Sequence, residues 1–108
     1  MEEKAAIVSL AALAQTVRLR IFRALVGTGP QGMTPGGLSA LLDLPASTLS
    51  FHLKELTRSG LVTQERESRN LIYRPAIDQM NDLLAYLTAH CCQGEACNMN
   101  VAAGCTTC

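Results

Sequence analysis

Two short helices joined by a tight turn are the feature that most limits how this chain can fold. Thr34-Pro35 predicts a helix start, because the threonine hydroxyl can cap the first turn and proline has no N–H to lose there. Pro45 closes the following turn and begins a second helix, and Gly60 ends that helix. One face of the second helix is marked by recurring leucines: Leu49, Leu53 and Leu56.

Two further helices are predicted before this unit. Residues 3 to 14 are rich in Ala and Leu, without Gly or Pro, and predict a helix that is apolar over much of its circumference. Thr16 is expected to cap a second helix over about residues 17 to 26. The glycine-rich stretch 27 to 32 then breaks the chain before the helix pair.

A hairpin and a last helix are predicted after the unit. β-branched and aromatic residues over 61 to 66 and 70 to 74 favour two short strands joined by residues 67 to 69. Helical spacing returns at about Ala76 and continues to His90. The whole order, helix, helix, short helix, tight turn, helix, hairpin, helix, predicts a mainly α fold with a β-hairpin wing, the winged helix-turn-helix.

Composition bounds the size and the class of the protein. With 108 residues, two Phe, two Tyr and no Trp, the chain can build one domain with a thin core, which often gains from a partner subunit. We expect a domain over residues 1–92 and a flexible, cysteine-containing tail over 93–108. A phosphate loop, an activated nucleophile and a paired-carboxylate setting are all missing, so an enzyme or an organic cofactor is not expected.

The sequence also indicates where the protein works. No apolar run approaches the ~20 residues that span a bilayer, so no membrane partner is expected. Glu2 and Glu3 at the start differ from the basic beginning of a secretory signal. A cytoplasmic location follows as an expectation, and thiols there stay reduced.

The helix after the tight turn is the predicted DNA reader. In a winged helix-turn-helix this helix enters the major groove and presents its N-terminal residues to base edges, while the wing places cations on flanking phosphates or in the minor groove. The candidate contacts are hydroxyl and cationic residues of that helix and of the hairpin: Ser47, Thr48, Ser50, Lys54, Arg58, Arg66, Arg69 and Arg74. The alternatives are that the hydroxyls only cap the helix and that the arginines only form a solvated surface that protects an edge strand.

Several separated segments resemble the ArsR/SmtB family of bacterial metal- and metalloid-sensing repressors, over about residues 11 to 90. They are Leu13 to Ile21 (LAQTVRLRI), Ser47 to Leu56 (STLSFHLKEL), Gly60-Leu61-Val62, and Asn70 to Arg74 (NLIYR). The resemblance implies a homodimer, with the first and last helices at its interface, that binds inverted-repeat promoter DNA until an inducer arrives. Ser68 departs from the glycine that the family often has in the wing turn.

All five cysteines of the chain lie at or beyond Cys91, where the last predicted helix ends. Some members of the family hold trivalent arsenic through cysteines at this place, including an adjacent pair. By resemblance, Cys91, Cys92 and Cys97 are the predicted ligands of As(III), or of Sb(III). The chemistry agrees, since soft thiolates select soft, thiophilic ions. Gly94 supplies the freedom for the chain to turn back and add the third thiolate.

Three alternatives remain open for the cysteine cluster. Zinc or cadmium would need a fourth ligand, which His90, Cys105 or Cys108 could supply. Oxidation of the thiols to a disulfide could shift the same helix. A thiol-rich metal-trafficking or buffer protein would bind metal without any affinity for a promoter.

Overall fold

The computed structural model describes residues 1–89, and within them the chain folds in the predicted order. The mainly α architecture with one antiparallel hairpin is confirmed. The elements are α1 (Glu3–Leu13), α2 (Thr16–Thr28), a 3-10 turn (Gly29–Gln31), α3 (Pro35–Leu42), α4 (Ala46–Arg58), β1 (Val62–Glu67), β2 (Asn70–Pro75) and α5 (Ile77–Thr88).

The turn between α3 and α4 is built as the sequence predicts. Thr34 caps α3, its hydroxyl accepting a hydrogen bond from the Gly37 backbone N–H at 3.1 Å. Asp43 follows the helix in the left-handed conformation (φ 54°), and the Leu44 N–H returns to the Ser39 carbonyl at 3.1 Å. Pro45 then caps α4 in an extended conformation. The angle between the two helices is therefore set by local hydrogen bonds.

The predicted cap of α2 is wrong by one residue. Thr16 is already the first helical residue, and the side chain of Gln15 accepts the hydrogen bond from the Arg18 N–H at 2.9 Å. The helix also continues to Thr28 before the glycine-rich segment ends it. An amide oxygen can cap a helix as a hydroxyl does, since it also accepts from the first free N–H groups.

The core lies between α2, α3, α4 and the hairpin. Its buried members are aliphatic, with two aromatic rings: Ile21, Phe22, Leu25, Leu38, Leu49, Leu53, Leu56, Leu61, Val62 and Tyr73. The four elements meet on this one cluster, so the orientation of α4 is fixed by packing of its buried side against α2, α3 and the hairpin.

The wing is anchored to the segment before α3. β1 and β2 pair from Val62 opposite Pro75 to Glu67 opposite Asn70. Met33 adds an isolated bridge to Tyr73, with backbone hydrogen bonds of 3.0 and 2.8 Å. Gly32 (φ 68°) makes this approach feasible, because a Cβ there would lie 2.6 Å from the Tyr73 carbonyl oxygen.

The turn of the wing contains the residue that departs from the family pattern. Ser68 adopts a positive φ of 59° between the two strands. A serine in this conformation carries a modest strain that a glycine would avoid. The hairpin keeps its full register despite the substitution.

The α1–α5 face differs from the rest of the molecule because its apolar residues are not covered. Ala6 and Leu83 are buried where the two helices meet, and the Gln79 side-chain amide donates to the buried Ser9 hydroxyl at 3.2 Å. Large apolar residues of the two helices are nevertheless exposed: Ile7, Val8, Leu10, Ile77, Tyr86 and Leu87. Four of them lie on the sides of the helices next to the buried Ala6 and Leu83, at about 100° per residue: Ile7, Leu10, Tyr86 and Leu87. We call these four the α1–α5 face.

Among the described residues, no single helix is long and apolar enough to cross a membrane. Only α1 taken together with Thr16–Gln31 passes on length and composition, and that pair is bent by 98°.

Candidate nucleic-acid interface

Helix α4 has one buried and one exposed side. Leu49, His52, Leu53 and Leu56 face the core. The opposite side is exposed and consists of Ser47, Ser50, Phe51, Lys54 and Arg58. At about 100° per residue these five positions fall within roughly a 100° arc, so they form one stripe along the helix. We call it the α4 stripe.

The predicted hydroxyl contacts lie at the N-terminal end of α4. Ser47 and Ser50 are exposed, and Thr48 is half-buried at the side of the stripe. The alternative that they cap the helix is not supported, because Pro45 is the capping residue and no side chain makes a cap hydrogen bond. The two exposed serines are therefore available for another partner.

The predicted cations of the helix and wing tip extend this surface. Lys54 is exposed in the middle of the α4 stripe. Arg58 makes an ion pair with Glu55 at 3.2 Å, but the pair lies at the surface and adds little to stability. Arg66 and Arg69 are exposed on β1 and in the wing turn. Their contacts with DNA remain predictions.

Arg74 is arranged differently from the other predicted contacts. Its Nε donates to the Pro30 carbonyl at 2.8 Å, and its guanidinium pairs with Glu67 at 3.1 Å and Glu65 at 3.8 Å. The Pro30 contact ties β2 to the 3-10 turn after α2, and the two ion pairs tie β2 to β1. The geometry gives Arg74 a structural role in holding the wing, and its predicted contact with DNA stays a prediction.

A cleft separates α4 from the wing. It has a volume of about 370 Å³ and is lined by Ser50, Lys54, Thr57, Arg58, Gln64 and Tyr73. Sequence reasoning did not single out Gln64. The available signal was strand alternation, because residues 64 and 66 lie on the same face of β1.

Arg18 connects α1 to the back of α4. Its Nε donates to the Ala12 carbonyl at 2.7 Å, and its Nη1 lies 3.5 Å from Nδ1 of His52. Burial lowers the pKa of His52, the charge of Arg18 lowers it further, and Glu55 opposes the shift. Since a guanidinium can only donate, the neutral imidazole accepts at Nδ1. His52 is therefore a structural hydrogen-bonding residue on the packed side of α4.

The predicted thiol site falls outside this description. Cys91, Cys92 and Cys97, with the proposed tail of residues 93–108, lie beyond the described residues. Within residues 1–89, no group of three His, Cys, Asp or Glu side chains could hold a metal ion.

Comparison with known proteins places this geometry among transcriptional regulators. A family model described as a helix-turn-helix domain matches residues 13–65. The transcriptional activator HlyU of Vibrio cholerae is 33% identical over 90 residues, which are 83% of this chain and 81% of that protein. A solved structure of V. cholerae HlyU is 35% identical with a TM-score of 0.63, over 81% of this chain and 97% of HlyU.

Two more distant structures share the fold. An ArsR-like transcriptional regulator from Rhodococcus sp. has a TM-score of 0.70 at 24% identity, over 78% of this chain and 76% of that one. A homodimeric winged helix-turn-helix DNA-binding domain from Mycobacterium bovis has a TM-score of 0.65 at 23% identity, over 82% and 86%. The relatives are DNA-binding transcriptional regulators and not enzymes, and this chain belongs to the ArsR/SmtB family of winged helix-turn-helix transcriptional regulators.

Proposed function

We propose that this regulator is a dimeric repressor that releases its operator when Cys91, Cys92 and Cys97 capture trivalent arsenic or antimony. The observation that carries the DNA-binding part is the α4 stripe, which is exposed and polar apart from Phe51, while the other side of the same helix is packed in the core. The thiol part rests on chemistry and on the position of the cysteines along the chain.

The α4 stripe and the wing contact different parts of the DNA in this proposal. Ser47 and Ser50 lie at the end of the helix that meets base edges in this fold, while Lys54 and Arg58 lie further along and suit phosphates. Arg66 and Arg69 extend the cationic surface to the flanking backbone. Formal net charge is zero, so binding depends on this local clustering of cations.

The α1–α5 face supports assembly of two protomers. Its Ile and Leu side chains are about half exposed, so each would gain about 0.7–1.5 kcal/mol on full burial against a second copy, which is half of the value for a whole side chain. A twofold dimer would place two α4 helices on successive major grooves, about 34–36 Å apart, and would therefore need an inverted repeat.

The first cysteines of the chain follow closely after α5, a helix of the α1–α5 face. Helix α5 ends at Thr88, so Cys91 and Cys92 follow within four residues of a helix that contributes to it. Three thiolates match a soft three-coordinate centre such as As(III). Residues 1–89 contain no cysteine, so every thiol of the chain follows α5 in the sequence.

A chain of hydrogen bonds offers a route from α5 to α4. Gln79 of α5 bonds Ser9 of α1, and the carbonyl of Ala12 at the end of α1 accepts from Arg18. Arg18 in turn contacts His52 on the back of α4. We propose that arsenic binding displaces α5 and that this route changes the position of α4. By linkage, arsenic then binds less tightly to the DNA-bound protein.

Fluorescence anisotropy of the reduced protein on its own promoter duplex tests the proposal. Arsenite should release the wild type, and Cys92→Ser should stay bound at the same arsenite concentration because one of three ligands is lost. Cys108→Ser serves as the matched control, since it removes a thiol outside the predicted triad and should respond as the wild type does.

Parallel titrations separate the alternatives. Release by zinc and not by arsenite would favour a tetrahedral metal site, and release only by an oxidant would favour a redox sensor. The absence of specific promoter binding would contradict the repressor and favour a thiol-buffer protein. Transcription from the same promoter in vitro distinguishes repression from activation. The V. cholerae relative HlyU is named a transcriptional activator, so both directions need to be tested.

A further inference from the structure

An aromatic residue occupies the middle of the otherwise polar α4 stripe. Phe51 is 57% exposed and is flanked along the stripe by Ser47, Ser50 and Lys54. Its ring stands edge-on to the ring of His52, with the centroids 5.1 Å apart and an interplanar angle of 74°. His52 is itself buried and held by Arg18, so the contact orients the phenyl ring on the outer side of the helix.

Neither packing nor a protein partner explains this residue well. The core-facing side of α4 lies opposite, so Phe51 adds nothing to the core of the protomer. The apolar surface suited to a second copy is the α1–α5 face, on other helices. A lone ring among serines and a lysine is also too small a patch to bind an apolar protein surface.

We infer that Phe51 determines operator specificity by contacting the 5-methyl group of a thymine in each half-site. In unmodified DNA, thymine presents an apolar methyl group at the edge of the major groove, and an apolar side chain such as Phe can pack against it. A serine hydroxyl can hydrogen-bond to more than one kind of base, and the Lys54 ammonium suits phosphate, so neither distinguishes a thymine by its methyl group. This inference rests on the DNA-binding part of the proposed function and is independent of the arsenic part.

Replacement of thymine by deoxyuridine tests the contact, because it removes only the methyl group. A footprint on the protein's own promoter first defines the two half-sites, and each thymine in them is then replaced in turn. Each half-site should contain one thymine whose replacement, made in that half-site alone, weakens wild-type binding about fourfold. This factor corresponds to the ~0.8 kcal/mol of one buried methyl-sized group, at ~1.4 kcal/mol for each tenfold change in affinity. Replacement in both half-sites should give roughly fifteenfold.

The variants complete the cycle. Phe51→Ala should bind the thymine operator more weakly and should be indifferent to the same deoxyuridine. Phe51→Leu keeps an apolar side chain and should retain part of the sensitivity, which separates loss of the contact from damage to the helix. Leu41→Ala removes a similarly exposed apolar side chain (61%) from α3, and it should respond to deoxyuridine as the wild type does.

Two results would overturn the inference while leaving the operator-binding function in place. Either no deoxyuridine replacement changes wild-type affinity, or the loss is the same in the wild type and in Phe51→Ala. A promoter that shows no footprint at all would instead remove the proposed function and this inference together.

Discussion

Helices α4 and α5 have similar lengths and similar amphipathic patterns, but the structure uses them in opposite ways. Leu49, Leu53 and Leu56 of α4 are all essentially inaccessible to solvent within one protomer. In α5 only Leu83 is buried, and Leu87 remains 53% exposed. The helix proposed to bind DNA is thus complete in a single chain, while the helix next to the cysteines is not. The exposed apolar residues of α5 are accordingly expected to be covered by a second chain.

The largest effect is expected from a charge on the α1–α5 face. Leu87→Glu removes a half-exposed leucine (53%) from each side of a twofold interface, so dimerisation should weaken by about 1.5–3 kcal/mol for the lost apolar burial, at about half of the ~1.5–3 kcal/mol of a whole leucine on each side. Burial of the two new carboxylates would weaken dimerisation further. Sedimentation analysis over a range of protein concentrations measures the change. Leu41→Glu is the control, because Leu41 is at least as exposed as Leu87 (61% against 53%) but lies on α3. Unchanged dimerisation in Leu87→Glu would show that the uncovered face is not the interface.

The packed side of α4 predicts a loss of folding stability. Leu53→Ala should lower the free energy of unfolding by about 2–5 kcal/mol, since it leaves a cavity among residues that cannot fully close it. Urea denaturation at a fixed protomer concentration measures this, because dimerisation also contributes to stability. Leu41→Ala should change stability by less than about 0.5 kcal/mol. Similar losses in the two variants would contradict the core described for α4.

Lys54 and Arg74 should separate DNA binding from folding. Lys54→Ala should leave stability unchanged and reduce the salt dependence of operator binding by about one phosphate contact per protomer. Arg74→Ala should instead destabilise the wing, because Pro30, Glu67 and Glu65 lose their shared partner. Anisotropy over a range of salt concentrations, together with thermal unfolding, measures both. If Arg74→Ala instead left stability unchanged and reduced the salt dependence of operator binding, Arg74 would be a DNA contact.

The smallest effect concerns the buried histidine behind the α4 stripe. The pKa of His52 is lowered in the folded protein from its usual 6.5. As pH falls below about 6.5, the unfolded chain therefore binds more protons than the folded one, and stability decreases until the lower folded pKa is passed. The unfolding free energy of the wild type should fall more steeply over this range than that of His52→Gln. The other histidine, His90, is present in both, so equal slopes would show that His52 does not contribute.

The features that the sequence predicted well are those set by local chemistry. The Thr34 cap, the proline that begins α4 and the hairpin depend on neighbouring residues, and each forms as expected. The role of Arg74 was not predictable, because its partner Pro30 is 44 residues away. The contact between Arg18 and His52 spans 34 residues and left no pattern either.

Periodicity also has a limit that α5 illustrates. Helical spacing of apolar residues predicted this helix, and such spacing is typical of a helix with one buried stripe, but Ile77 and Leu87 are exposed in the protomer. A hydrophobic pattern records that a side chain needs burial, but it does not tell whether the covering residues come from the same chain or from a second one.

The mass of the operator complex in solution, measured by sedimentation while arsenite is added, tests the central claim most directly. The account predicts two protomers on each operator for the reduced protein, and separation into free DNA and free protein at arsenite concentrations that leave Cys92→Ser bound. A single protomer on the operator, or a complex of unchanged mass at saturating arsenite, would contradict it.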